Sequence, residues 1–180
     1  MKIEKLPNLF EIYFKKAKQK EILEFLKMCF KYRKRLFSED FFKENFSSAD
    51  KFLKFISNCA QNVFCVRLGK NPLPTAFFYI YDIKKGINNT KDCKVTYCVK
   101  RAYWGFGSYF IAKKAIEFLF KEKNIRKLSA EIVGENSLAT SLLGRLGFEL
   151  EAKLKDEYCT SSETKNVYIY SKFNPACKQK

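Results

Sequence analysis

Histidine does not occur anywhere in this chain, and that absence narrows the chemistry at once. Without an imidazole there can be no Ser-His or Cys-His nucleophile pair, and the commonest metal ligand is missing. Acid–base work must fall to carboxylates, tyrosine, lysine, cysteine, the backbone or water. Cysteine occurs seven times, an odd number (Cys29, Cys59, Cys65, Cys93, Cys98, Cys159 and Cys177), with no C-x-x-C pair among them. A structural zinc site is therefore set aside, and thiols buried in a reducing compartment are the expected state. No apolar run approaches the ~20 residues that span a bilayer. The opening MKIEKLPNLF lacks the apolar block of a secretory signal. These absences together predict a soluble, cytoplasmic protein with no metal and no membrane contact. Repeats, low-complexity tracts and Pro- or Ser-rich linkers are missing too, so residues 1–180 are read as one domain.

What is plentiful is phenylalanine and lysine. Nineteen Phe within a 47% hydrophobic chain can build a core without disulfides. Lys and Arg exceed Asp and Glu by 35 − 19 = +16, a balance that suits acidic partners such as a phosphate-bearing cofactor or a nucleotide. The lysines are spread along the chain and form no tail. The joint abundance of Lys, Phe, Asn, Ile and Tyr also matches an A+T-rich coding sequence, and the two explanations stand level.

Periodicity gives the element order. Leu9–Lys15 alternates as a strand, and Ile22, Phe25, Leu26, Cys29 and Phe30 fall on one helical face. A short helix is predicted over Ser38–Phe46, and Ser47 with Asp50 resembles a capping box for another helix carrying Phe52, Phe55, Ile56 and Cys59. The period then shortens: Val63–Leu68, Ala76–Ile83 and Lys94–Lys100 read as an antiparallel meander. After Gly105-Phe106-Gly107 comes an amphipathic helix with Ala112, Ala115, Ile116, Leu119 and Phe120 inward. Strand Lys127–Val133, a helix stopped by Gly147, and strands Phe148–Lys155 and Asn166–Phe173 complete an α+β layout.

The joint at Lys100–Tyr109 carries the first chemical signal. A strand enters Gly105-Phe106-Gly107 and a helix starts at once. Glycine lets the backbone approach a ligand closely, and the amides of a first helical turn favour a phosphate. The joint is not a P-loop, since no Gly-Lys-Ser/Thr follows. A meander before it also excludes the Rossmann fingerprint.

The second signal lies downstream. Glu135-Asn136-Ser137-Leu138-Ala139-Thr140-Ser141-Leu142-Leu143-Gly144-Arg145-Leu146-Gly147-Phe148 resembles the E-N-x-x-S/A-x-x-L-(L/Y)-x-K/R-L-G-F pattern of the GNAT superfamily of N-acetyltransferases. Tyr103-Trp104-Gly105-Phe106-Gly107 is similar to the pyrophosphate loop of its ribosomal-protein N-acetyltransferase branch. Phe148–Ala152 and Asn166–Ser171 resemble that branch's closing strands. The resemblance covers roughly residues 93–173.

It implies a mixed, mostly antiparallel, twisted sheet of about seven strands flanked by helices and splayed between strands 4 and 5. It also implies acetyl-CoA as co-substrate and direct attack of a primary amine on the thioester. Carried onto this sequence, the pantetheine arm would pair with the backbone near Val99 and Arg101. The diphosphate would sit on amides from Trp104 through Gly105, Phe106, Gly107 and Ser108 to Tyr109. Asn136 would hydrogen-bond the pantetheine or the acetyl end. For the base, Glu131 and Asp92 are the candidate carboxylates; Tyr158 is a remote candidate acid. Lys100 and Arg101 belong either to the 3′-phosphate or to a solvated face.

Trp104 and Phe110 differ from the family's usual residues, but three other departures weigh on catalysis. Bulky Tyr109 stands where Gly or Ala is usual, Leu143 replaces the common acid tyrosine, and Ala139 replaces the serine used by close relatives. They keep open a second reading, a GNAT-fold binding or assembly module without catalysis. Nucleic-acid binding ranks last, because helix and strand faces account for the interleaved aromatics. The acceptor is read as an amine, with acidic ones favoured by the charge, and the protein as a monomer or homodimer.

Overall fold

The computed structural model describes residues 12–31, 43–44, 46–69, 73–86, 89–159 and 163–177. Its strands are β1 (Ile12–Lys16), β2 (Val63–Leu68), β3 (Ala76–Lys85), β4 (Lys91–Val99), β5 (Ile125–Val133), β6 (Glu149–Cys159) and β7 (Thr164–Phe173). Its helices are α1 (Gln19–Lys31), α2 (Ala49–Asn62), α3 (Phe106–Glu122) and α4 (Ser137–Arg145). The strands form one sheet in the order β1-β2-β3-β4-β5-β7-β6. Every neighbouring pair is antiparallel except β4–β5, which α3 joins as a parallel crossover.

The central strands read as nearly unbroken hydrophobic runs because both faces are covered. In β2 and β3, Val63, Cys65, Phe77 and Tyr79 pack with Phe25 and Leu26 of α1 and Phe55 of α2. Their alternates Phe64, Val66, Phe78 and Ile80 pack with Ile111, Ala115 and Leu119 of α3 on the other face. Cys65, Cys93 and Cys98 are buried thiols, and burial pushes each of them up, Cys65 to about 11 and the other two to about 12.

Expected and observed bounds differ mainly at the ends. β3 runs on to Lys85 through a bulge between Tyr81 and Lys84, where Asp82 takes φ +48°. β4 starts at Lys91, β5 starts at Ile125, and β6 continues to Cys159. The residue opening α2 is Ser48, whose hydroxyl accepts from the Lys51 amide at 3.3 Å; Ser47 instead accepts from the Lys51 ammonium. Most of the helix predicted over Ser38–Phe46 lies outside the described residues. Gly147, at φ +77°, ends α4 as expected. Its amide bonds to Gly144 O and that of Phe148 to Leu143 O, the paired bonds of a Schellman stop.

The divergence at the centre of the sheet positions the site. β4 pairs with β5 only from Lys91 to Lys94, against Ile125 to Ser129. Beyond that, β4 stays bound to β3 through Val99, and β5 stays bound to β7 through Val133. Each strand keeps its outer partner, so their inner edges part from Val95 and Ala130 onward.

Candidate active site

The parting strands open a cleft of about 390 Å3. Val95–Val99 of β4 form one wall, Glu131 and Ile132 of β5 the other, and Leu142 and Leu143 of α4 close the floor. The lining is largely apolar, and Glu131 is the one carboxylate among its described residues.

The turn into α3 forms the mouth. The Lys100 amide bonds to Thr75 O, and Arg101–Tyr103 make a tight 3-10 turn in which the Trp104 amide donates to Arg101 O at 3.1 Å. Gly105 then takes φ +83°, ψ −126°, a combination that a Cβ would strain. The first bond of the helix runs from the Tyr109 amide to Gly105 O at 3.2 Å. The amides of Trp104 and Tyr109 are therefore spent, and the expected cradle contracts to Gly105, Phe106, Gly107 and Ser108. Those four point off the helix start, where no carbonyl of α3 can reach them, with the positive end of the helix dipole behind them.

Side chains hold this turn in place. The Tyr97 hydroxyl donates to Ser108 O at 3.2 Å and lies 3.4 Å from the Ser108 hydroxyl. Phe78 stacks on the Tyr97 ring at 4.6 Å, and burial pushes the phenol well above its ordinary range. The Trp104 indole donates to Val99 O at 3.1 Å, with the Arg101 guanidinium 5.9 Å above its ring. The Val99 carbonyl thus already has a donor. Arg101 lies past the end of the strand, so it cannot extend the β4 edge. Tyr109 does not plug the cleft; its ring packs beneath the Arg145 guanidinium at 4.8 Å.

Asn136 lines the cleft, but its carbonyl oxygen caps α4 by accepting from the Ala139 amide at 3.2 Å. Its NH2 group stays available to a ligand. Ala139 and Leu143 both face the cleft, so the two positions that could carry an acid hydroxyl present hydrocarbon.

The candidate acid–base residues fall in different places. Glu131 lies in the cleft wall and pairs with Lys94 at 2.8 Å, which also reaches Asp82 at 3.2 Å. The bond from Glu131 and its charge, with help from Asp82, hold the Lys94 ammonium above its ordinary value despite some burial. Beside them burial and the Glu131 charge push the Tyr81 phenol up, and it shares a hydrogen bond with the Thr96 side chain. Asp92 is remote, at the paired end of β4–β5, where Arg126 clamps both its oxygens, Nε to Oδ1 at 2.9 Å. Tyr158 stands opposite Lys165 in the outer β6–β7 hairpin, away from the lining. Sequence reasoning missed Tyr97 and Lys94, and it placed Trp104 by its amide, not by the indole that bonds Val99 O. Tyr97 and Lys94 had one available signal, the strand alternation that sends Tyr97 to the α3 face and Lys94 and Thr96 to the other.

No protein-family model and no curated protein sequence matches the chain. Solved structures do. Ribosomal-protein-S5-alanine acetyltransferase from Vibrio fischeri aligns over 93% of this chain and 96% of its own, with a TM-score of 0.69 and 16% identity. Spermidine N-acetyltransferase from Vibrio cholerae, solved in complex with CoA and spermine, aligns over 90% and 95%, with a TM-score of 0.70 and 14% identity. A GNAT-family acetyltransferase from Bacillus anthracis covers 91% and 98%, with a TM-score of 0.60 and 15% identity. With a mixed seven-stranded sheet that parts between β4 and β5 and a glycine turn opening the helix between them, the chain has the GNAT acetyltransferase fold.

Proposed function

We propose that this protein is an N-acetyltransferase that moves an acetyl group from acetyl-CoA to a primary amine. The observation that carries the reading is the set of amides from Gly105 to Ser108, facing out beside a cleft walled by unpaired strand edges. A diphosphate satisfies such amides, and an extended amide-bearing arm can bond a strand edge that has no neighbour. The Asn136 NH2 adds a donor deeper in. Val99 O would be shared between the arm and the Trp104 indole.

Thioester chemistry asks little more of the protein. An alkyl ammonium has a pKa near ~10.4, so a proton must leave before attack. Glu131 is the carboxylate in the wall, and it takes that proton directly or through a water. The thiolate departs without an acid from Ala139 or Leu143, since thiol pKa values are only ~8.5. The charge of +16 favours an acceptor that carries its own negative groups.

The hydrocarbon at Ala139 and Leu143 also favours a second reading, a module that binds the coenzyme and does not turn it over. Calorimetry with acetyl-CoA followed by thiol release with a panel of primary amines separates the two. Saturable heat with thiol release supports the enzyme, heat without release on any amine supports the module, and no heat removes both.

A further inference from the structure

A second hollow lies at the other end of the same strand pair, where β4 and β5 are still bound together. It encloses about 220 Å3 between the end of β1, the last residue of α2, the start of β4 and the end of α3. Phe64, Ile80, Cys93 and Ile125 line it with apolar surface, and Lys16, Lys91 and Lys123 are the charged residues around it. No carboxylate lines it. None of the three lysines joins an ion pair among the described residues. Lys123 leans over the rings of Phe64 and Phe118, at 5.3 and 5.6 Å, which keeps its charge against the hollow.

An ordinary explanation exists for some of this charge. α2 ends at Asn62 and α3 at Glu122, with Lys123 as its C-cap, and each helix C-terminus carries roughly half a negative charge. Together they offset about one of the three lysines. About two positive charges are left at the rim of the hollow.

From this surplus, we infer that the hollow binds a small organic anion, an apolar tail ending in a carboxylate. The tail lies over Ile83, the exposed apolar residue at the rim, and the edges of Phe64 and Ile80 that reach the hollow, and the carboxylate meets the lysines. The volume falls short of the roughly 300 Å3 at which drug-sized ligands begin, which limits the tail to a short chain or a single ring. This site is separate from the cleft and does not depend on the transferase reading.

The probe is sodium octanoate, titrated calorimetrically into the full chain with and without saturating acetyl-CoA. Octanoate is expected to bind one per chain, more weakly as salt is raised, and unaffected by acetyl-CoA. Acetate, which lacks the tail, and octylammonium, which reverses the charge, give no saturable heat. Shortening the probe's tail weakens binding, by at most about fourfold per methylene. Lys91→Gln and Lys123→Gln each weaken it about tenfold, and Lys121→Gln, outside the hollow, leaves it unchanged. Ile83 lines the rim and is 41% exposed, so Ile83→Glu should fold, as thermal unfolding will confirm, and abolish binding. The inference is overturned if octanoate gives no heat, if octylammonium binds as well, if acetyl-CoA displaces octanoate, or if the lysine and Ile83 variants bind like the parent.

Discussion

At the scale of single residues the proposed chemistry divides the cleft into groups that would bind the coenzyme and a group that would move a proton, and the two are separable by mutation. Glu131→Gln keeps the shape of the wall and removes the base. Turnover with a responsive amine is expected to fall by about a hundredfold, with the acetyl-CoA dissociation constant within a factor of two or three. A Glu131→Gln enzyme as fast as the parent would put the proton on another group. Gly105→Ala does the opposite. At φ +83° a side chain is strained even though a Cβ there would meet no atom within 4 Å, so the cost is conformational. Left-handed backbone disfavours alanine by about 1 kcal/mol or more. We expect acetyl-CoA affinity to drop about tenfold or the whole turn to loosen; unchanged calorimetric affinity would show that the turn does not hold the coenzyme.

Between elements the decisive contact is the one that ties β4 to the first turn of α3. The Tyr97 hydroxyl reaches Ser108 O across the site, so Tyr97 is a positioning residue for the amide cradle. Tyr97→Phe retains the stack on Phe78 and loses the tie. It should cost about 1 kcal/mol in urea unfolding, raise the KM for acetyl-CoA several-fold and leave kcat near the parent value. A lowered kcat with constant KM would assign the phenol to chemistry. This scale also shows what the sequence could say. The motifs around Gly105 and Asn136 are local, since a glycine turn and an N-cap depend on neighbours three or four residues away, and both were legible. The spent amides of Trp104 and Tyr109 depend on how tightly the chain turns at Arg101–Tyr103, which composition does not reveal. Asp92 was a reasonable base candidate on position alone. Its capture by Arg126 follows from a register shift between Lys91 and Asp92, and no pattern within either strand announces it. Lys94 is similar: its link to Glu131 joins residues 37 apart in the chain, brought together only by the parallel pair.

For the whole molecule the question is how a chain of charge +16 stays folded as pH falls and the charge rises further. One buried carboxylate answers part of it. Glu21, 6% exposed, receives the Lys18 amide at the start of α1 and pairs with Lys15 of β1 and Arg67 of β2, pinning the first helix to the sheet. Burial alone would raise its pKa; the bonds from Lys15, the Lys18 amide and Arg67 outweigh that and bring it from 4.5 to about 2. A folded-state value below the unfolded one means that the carboxylate stabilises the fold fully above pH 4.5, and that this contribution is lost as pH falls toward 2. The shift corresponds to about 3 kcal/mol at neutral pH. Glu21→Gln should therefore cost about 3 kcal/mol in urea unfolding at pH 7, and the gap to the parent should shrink to about 1 kcal/mol by pH 3. Because both proteins gain the same charge elsewhere, the general acid sensitivity of a basic chain cancels in the difference. A gap that stays constant from pH 7 to pH 3 would mean that Glu21 anchors α1 by packing and hydrogen-bond geometry alone, with no contribution from its charge.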